Sequence, residues 1–334
     1  MIVVGSETTY DMTAFGETAI REDLSDIIYN ISPTETPFMM MIGRGTSTNT
    51  RHEWQVDELA TADFSNATLE GDEAAFAPPT PSIRIDNYCQ ISSKTLVVTG
   101  TTEVVDKAGR KSELAYQLAK EAKELKRDME TILIAGRLTA GGEVQFENAG
   151  TNTVARLLSP YETWMTAGGG QPKNGVAGHV FPTSTDGFSP TLAGVDGTQR
   201  AFSEADLKDV IKQCWDEGGD PTVVMTGSFN KQAASAFSGN TTRFDRSEDM
   251  RLVTAIDIYV SDFGECRIVP NRFSRDRSAL VITPNMWSVD YLRGFRQFPL
   301  AKTGDAEKRE LLVEYTLRAS NPHASGIVAD LTTS

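Results

Sequence analysis

Leu114, Leu118, Ala122, Leu125, Met129 and Leu133 recur at intervals of three or four residues. That spacing places them on one face of a helix. It predicts a helix from Arg110 to about Ala135, bracketed by Gly109 and Gly136. At about 1.5 Å per residue the run is roughly 40 Å long, and no Pro or Gly interrupts it. The intervening positions are charged: Lys120, Glu121, Lys123, Glu124, Lys126, Arg127, Asp128 and Glu130. Lys120 with Glu124 and Lys126 with Glu130 are spaced as i,i+4 pairs, each worth about 0.2–0.5 kcal/mol. The expectation is an exposed amphipathic helix laid on a sheet.

Further along, the apolar spacing alternates between helical and strand periods. Ser203-Glu204-Ala205-Asp206 is a capping-box-like start. A stripe of Leu207, Val210, Ile211, Cys214 and Trp215 follows and stops at Gly218-Gly219 and Pro221. Thr222 to Met225 reads as a short buried strand, and residues 229–237 suit a second helix. Ile256 to Val260 and Cys266 to Val269 flank Asp262-Phe263-Gly264-Glu265 as a hairpin. Together these predict an α/β unit of about 80 residues, an ordinary domain size. More strands are predicted at Leu280 to Ile282, Trp287 to Leu292 and Leu311 to Leu317. The last places Leu311, Val313, Tyr315 and Leu317 on one face and Leu312, Glu314, Thr316 and Arg318 on the other. These strands are expected to form the sheet beneath the long helix. Residues 137–200 are rich in Gly, Thr and Pro, with Trp164 and Leu157-Leu158 as local anchors. They are expected to be the least regular and most exposed part of the body.

Residues 1–50 read as an arm. One short amphipathic stretch, Asp23 to Tyr29, is followed by Pro33 and Pro37, which predict an extended path. Phe38 to Ile42 is an apolar plug, closed by Gly43-Arg44-Gly45. Residues 51–99 read as two strand-like flanks, one with Trp54 and Val56 and one from Tyr88 to Val98, around a long polar excursion. Most connections run about 4–6 residues, so this one predicts a projecting β-ribbon that packs on another chain, or else a disordered loop.

The chain has 334 residues, 39% hydrophobic and 23% charged, enough for one large or two ordinary domains with a folded bulk. No apolar run reaches about 18 residues, so no membrane span is predicted. The start, MIVVGSETTY, lacks the basic region of a secretory signal. Cys89, Cys214 and Cys266 are far apart with no CxxC, which reads as reduced, core-filling thiols in a cytoplasmic setting. The net charge of −14 argues against tight nucleic-acid binding, and the first lysine is Lys94.

Catalytic sets are sparse. His52, His179 and His323 show no zincin spacing. Gly168 to Gly170 lacks a following Lys-Ser or Lys-Thr, and no GxSxG occurs. Glu70, Asp72 and Glu73 form an acidic cluster without the ligand spacing of an EF-hand, more simply a solvated loop tip. No cofactor or metal ligand set emerges. Lys302 to Arg309 is a dense mixed-charge turn, suited to a solvated loop or an ion-pair site between subunits.

Long blocks of the chain resemble a major capsid protein family of tailed bacteriophages. They are REDLSDIIYNISPTETPF at 21–38, AGRKSELAYQLAKEAKELKRDME at 108–130, QCW at 213–215 and FNKQAASAF at 229–237. YVSDFG at 259–264, VPNRFSRDR at 269–277 and KTGDAEKRELLVEYTL at 302–317 continue it, and it weakens at 137–200. The resemblance implies an α+β chain with the Hong Kong 97-like capsid fold. It would have an N-terminal arm (1–50) and an extended β-ribbon loop (51–93). A peripheral domain (94–199) would hold a spine helix (110–136) and the irregular segment 137–199. An axial α/β domain (200–280) would follow, and 281–334 would complete the peripheral domain.

The resemblance further implies pentamers and hexamers of an icosahedral virion shell around double-stranded DNA, assembled in the host cytoplasm, with no enzyme activity. Implied partners are further copies of the chain, a portal protein, separate scaffolding and decoration proteins, and DNA through weak non-specific contact, with no membrane. The acidic charge suits a wall that must not adhere to its contents. Only about 20 residues precede the signature, fewer than a domain needs, so no long scaffolding pro-segment is expected. The extended loop has no lysine, so a lysine–asparagine cross-link from its tip is not expected. Expected anchors between subunits are Phe38, Met40 and Ile42 in the arm and Trp54 in the loop. Glu70, Asp72 and Glu73 are expected to meet Arg110, Lys111, Lys308 or Arg309 of a neighbour. The alternatives are a nanocompartment shell of the same fold enclosing an enzyme and, more remotely, a metal-assisted hydrolase built on the acidic cluster.

Overall fold

A computed structural model describes residues 34–71, 73, 76, 78–106, 109–136, 144–165, 175–176, 188–190, 194, 196–237 and 258–333. The amphipathic stretch 23–29 lies outside these residues, as do His179 and Gly168 to Gly170.

The arm joins the body early. Pro37 does not extend the chain; it opens a short helix, α1 (Pro37–Met41), because its fixed φ and missing N–H suit a first helical position. Strand β1 (Gly43–Thr46) follows. Gly45 is required here, since a Cβ would lie 2.3 Å from an Asp290 carboxylate oxygen. Strands β2 (Arg51–Val56) and β3 (Ile83–Tyr88) pair antiparallel from Arg51↔Tyr88 to Val56↔Ile83. The second flank predicted at Tyr88 to Val98 is mostly a different strand, β4 (Gln90–Thr99), which leaves the ribbon for the main sheet.

After a short α2 (Gly100–Val104) comes the long helix, α3 (Glu113–Ile134). It starts three residues later than expected because its first N–H groups are capped there. Ser112 Oγ accepts from Ala115 N, and Glu103 Oε2 accepts from Glu113 N and Leu114 N. At 22 residues it is about 33 Å long. Leu125, Met129 and Leu133 are buried. The Lys120–Glu124 pair forms at 3.9 Å. The expected Lys126–Glu130 pair does not, because Glu130 points into the core and is fully buried. Gly136 ends the helix in the left-handed region, φ +64°.

Residues 157–165 are not the exposed part. They carry a short α4 (Tyr161–Trp164), and Leu158, Tyr161, Trp164 and Met165 are core residues. Next come a two-residue strand β5 (Gly175–Val176), α5 (Glu204–Asp216), β6 (Val223–Thr226) and α6 (Ser228–Ser235). Ser203 Oγ caps α5 by accepting from Asp206 N. Leu207, Val210, Ile211 and Cys214 are buried, but Trp215 is exposed. The remaining strands are β7 (Ile258–Ser261), β8 (Gly264–Pro270), β9 (Ala279–Ile282), β10 (Trp287–Pro299), β11 (Ala306–Ala319) and β12 (Gly326–Val328).

Two larger sheets result. One has the order β1-β10-β11-β4, in which β10 and β11 form a long antiparallel hairpin with α3 packed across β4 and β11. The other has the order β5-β12-β9-β6-β8-β7. Thus Leu280 to Ile282 does not lie under the long helix. It pairs with β6, and β12 joins the same sheet. Both faces of that sheet are covered, so β6 and β9 are buried throughout. Val223, Met225, Leu280 and Ile282 face the core shared with α3, and Val224, Val281 and Ile268 face α5 and α6. The three cysteines are buried and free.

Glu130 joins these parts. Its Oε1 accepts from Phe38 N at 2.7 Å and from Asn271 Nδ2 at 2.7 Å, and its Oε2 accepts from Met39 N at 3.0 Å. Burial raises its pKa against the pull of those donors. Glu130→Ala orphans all three donors and is expected to cost roughly 3–5 kcal/mol, with Glu130→Gln about half that, in urea unfolding. Midpoints matching the wild type would remove Glu130 from this role.

Glu147 lies near Asp86 and Arg51 at the foot of the ribbon. Burial, then the Asp86 carboxylate, pushes its pKa to about 7 despite Arg51. The folded chain therefore holds a proton that the unfolded chain releases near its ordinary value of 4.5. This group's contribution is full below about pH 4.5 and is lost as pH rises to about 7. Urea midpoints across that window are expected to fall less steeply in Glu147→Gln than in the wild type.

Candidate self-association surface

The ribbon of β2 and β3 is fastened at its base. Arg51 grips Asp86 through Nε at 2.6 Å and Nη2 at 3.0 Å, the fork geometry that suits guanidinium and carboxylate. His52 Nε2 lies 2.9 Å from Asp290 Oδ2. Burial works against the Asp290 charge, yet hydrogen bonds from His52 and Ser288, with Arg318 nearby, hold its pKa below the ordinary value. Trp54 Nε1 donates to Ala319 O at 2.8 Å, and its ring lies 5.7 Å from that of Trp164. Asn87 Nδ2 donates to Leu317 O and Ser159 O, while Ser159 N donates back to Asn87 Oδ1. The side chains of β2 and β3 thus fix where the connecting residues 57–82 leave the body.

Those connecting residues carry four strongly exposed apolar groups. Leu59 is 99% exposed, Phe64 101%, Leu69 80% and Phe76 95%. Single exposed apolar residues are ordinary, and four on one connecting segment make it the candidate surface for self-association. Their recurrence in an otherwise polar excursion was the available signal, and attention to Trp54 alone overlooks it.

The expected anchors divide. Phe38 and Ile42 are buried in their own subunit, and Trp54 packs against the same core. Phe38 and Ile42 thus offer little surface to a neighbour, while Trp54 stays partly exposed. Residues 37–42 are held on α3 through Glu130, which covers Phe38, Met39 and Ile42 within the chain. Met40 is different, at 75% exposed on the outer side of α1.

The charged candidates are not brought together within one subunit. Glu70 and Glu73 are exposed on the loop, and Asp72 lies outside the described residues. Arg110 pairs with Glu113 and lies over the Tyr116 ring, and Lys111 is exposed. Glu307 takes both Lys302 and Arg309, while Lys308 donates to Thr303. The Lys302 ammonium accordingly holds the Glu307 carboxyl below its ordinary value. The mixed-charge turn is largely paired within itself.

Buried ion clusters, which sequence spacing did not show, hold the frame. Glu314 accepts from Arg293 Nε at 2.7 Å and also from Arg156. Arg275 bridges Glu162 at 2.8 Å and Asp196 at 2.5 Å. Arg277 reaches Asp330 at 3.0 Å. Removing one partner of such a cluster strands a buried charge. Among the described residues no group of three or more His, Cys, Asp or Glu is placed to hold a metal ion. No helix among them is long and apolar enough to cross a membrane.

Comparison with known proteins gives one consistent result. The family model described as SU10 major capsid protein matches residues 5–332. The major capsid protein of Escherichia phage Phieco32 is 27% identical over 318 residues, covering 89% of this chain and 90% of that one. Among solved structures, the cyanophage A-1(L) capsid asymmetric unit aligns with a TM-score of 0.63 at 12% identity, over 94% of this chain and 98% of that one. The capsid of the native GTA particle aligns with a TM-score of 0.61 at 11% identity, over 97% and 100%. The chain therefore belongs to the SU10 major capsid protein family of tailed phages, has the Hong Kong 97-like fold and is a component of the virion capsid.

Proposed function

We propose that this chain assembles into pentamers and hexamers of a closed icosahedral shell enclosing double-stranded DNA. The observation that carries the reading is the projecting segment with Leu59, Phe64, Leu69 and Phe76 exposed above a firmly fastened base. Burying one such side chain is worth about 1.5–3 kcal/mol, so a partner surface that covers all four gains several-fold that. A symmetric shell supplies the partner at every position, since each copy offers a loop and receives one. The capsid structures of relatives support this, and two of them are named with a decoration protein and with a size-determination protein.

In this reading residues 1–50 remain the arm, 51–93 the extended loop, 94–199 with 281–334 the peripheral domain and 200–280 the axial domain. The sheets set one condition on that division: β9 and β12 belong with the axial strands by hydrogen bonding. Glu70, Asp72 and Glu73 at the loop tip meet basic groups of the neighbour, and the exposed Lys111 is the candidate least engaged within its own subunit. Assembly takes place in the host cytoplasm, with a portal and with separate scaffolding and decoration proteins. The wall meets DNA weakly, as its net charge of −14 requires. Its role is structural, without catalysis.

The double variant Phe64→Ser/Phe76→Ser tests the carrying observation. Its urea midpoint is expected to stay within about 0.5 kcal/mol of wild type, while electron microscopy and light scattering show no shells. Wild-type yields of closed particles would sink the loop's role. Trp54→Ala is expected to do the reverse at first, lowering subunit stability by about 2–4 kcal/mol. Separately, reversing charge at Glu70, Asp72 and Glu73 together is expected to weaken assembly, most strongly at low salt. Unchanged assembly at every ionic strength would remove the acids from the interface.

A further inference from the structure

A groove of about 520 Å³ runs between α1, α3 and β10, and it is built for an occupant that is both acidic and apolar. Arg44, Lys123 and Lys126 line it, all three exposed, and no carboxylate is among the described residues that line it. Two other cations at α3 have carboxylate partners: Lys120 reaches Glu124, and Lys94 reaches Asp128 at 2.9 Å. Lys126 instead stands 5.9 Å over the Phe295 ring. In a chain with 46 acidic and 32 basic residues, three cations gathered with no acid among the described lining residues call for a counter-charge. The same groove exposes apolar surface, since Met40 is 75% and Phe295 42% accessible.

The chain itself leads into this groove, for Thr34 and Thr36 line it. Residues 1–33, outside the described residues, hold six carboxylates against the single Arg21. Nearest in sequence to Thr34 among them are Glu22, Asp23 and Asp26, interleaved with Leu24, Ile27 and Ile28. The i, i+3, i+4 spacing of those three apolar residues gives a helix one apolar face, bordered by acids. We propose that residues 22–29 of each chain dock in that chain's own groove. Their apolar side chains cover Met40 and Phe295, and their carboxylates meet Arg44, Lys123 and Lys126. Only residues 30–33 separate the segment from Thr34, so the reach needed is at most about 17 Å. So short a tether keeps the segment at an effective concentration in the millimolar range. A nucleic-acid backbone would engage the cations but leave Met40 and Phe295 uncovered, whereas this segment satisfies both. The docked segment also removes the basic groove from an otherwise acidic surface. This inference does not depend on the shell reading.

The test uses the full-length, unassembled protein at low concentration, with hydrogen exchange of residues 22–29 followed by mass spectrometry. Exchange is expected to be slowed about tenfold, equivalent to about 1.4 kcal/mol, and to speed up in Lys123→Glu/Lys126→Glu. Protection should return when Asp23→Lys/Asp26→Lys is added to that variant. Carbodiimide coupling in an equal mixture of isotope-labelled and unlabelled chains should join Asp23 or Asp26 to Lys123 or Lys126 of the same label only. Free-peptide exchange rates in the wild type would overturn the proposal, as would protection insensitive to charge reversal. Mixed-label coupling would assign the groove to a neighbour's segment. Loss of co-purifying nucleic acid in Lys123→Glu/Lys126→Glu with unchanged protection of 22–29 would assign it to a polyanion, and either result excludes docking in cis.

Discussion

A single carboxylate in the last third of the long helix holds three parts of this molecule at once. Glu130 accepts from the first turn of α1, and so fixes the arm on the spine helix. It also accepts from Asn271, at the end of β8, and so fixes the six-stranded sheet against the same helix. Asn271 in turn donates its backbone N–H to Thr226 O, beside β6. Burying a carboxylate is costly unless donors surround it, and here two backbone donors and one amide do so. The arrangement demands that arm, helix and sheet arrive in one relative position, because no other position satisfies all three donors.

Around that point the aromatic core continues the same logic. Phe38 of the arm meets Tyr161 edge-on, with ring centroids 5.8 Å apart, and Tyr161 lies 4.6 Å from Trp287 of β10. The Tyr161 hydroxyl donates to Val281 O and Gly326 O, reaching β9 and β12. Buried tyrosines keep a polar tip that must find acceptors, so this ring both fills the core and locks the two sheets together. Trp54 brings the foot of the ribbon onto the same cluster. The frame is therefore rigid where the ribbon is rooted, and the exposed apolar side chains of residues 57–82 are carried outward from a defined place.

Much of this was legible in the residues alone. The spacing of Leu125, Met129 and Leu133, the Ser203 cap, the alternation of Leu311 to Leu317 and the turn at Asp262-Phe263-Gly264 each follow local rules of period and capping. The family resemblance of the long blocks followed from the same text. Other features were not legible, for definite reasons. Glu130 sits in a run of alternating charges and looks like an i,i+4 partner of Lys126, since nothing local says that a surface-type carboxylate will be buried. Strand β9 reads like its neighbours in sequence yet pairs with β6, because pairing is chosen by long-range burial on two faces. Trp215 stands at the end of a buried stripe but is left exposed by the geometry of α5 against its sheet.

Local chemistry thus determined many of the elements: the span of the long helix to within a turn, the Ser203 cap and which strands alternate. Period and capping act over a few residues and need no partner. The tertiary structure decided which apolar groups are covered inside the subunit and which stay exposed. It placed Phe38 and Ile42 inside, half-covered Trp54 and left Phe64 and Phe76 outside. That division rests on contacts between residues tens to hundreds of positions apart, such as Glu130 with Phe38 and Trp54 with Ala319. Hydrophobicity is the same for a phenylalanine in either place, and only the packed chain shows which of its faces is already covered.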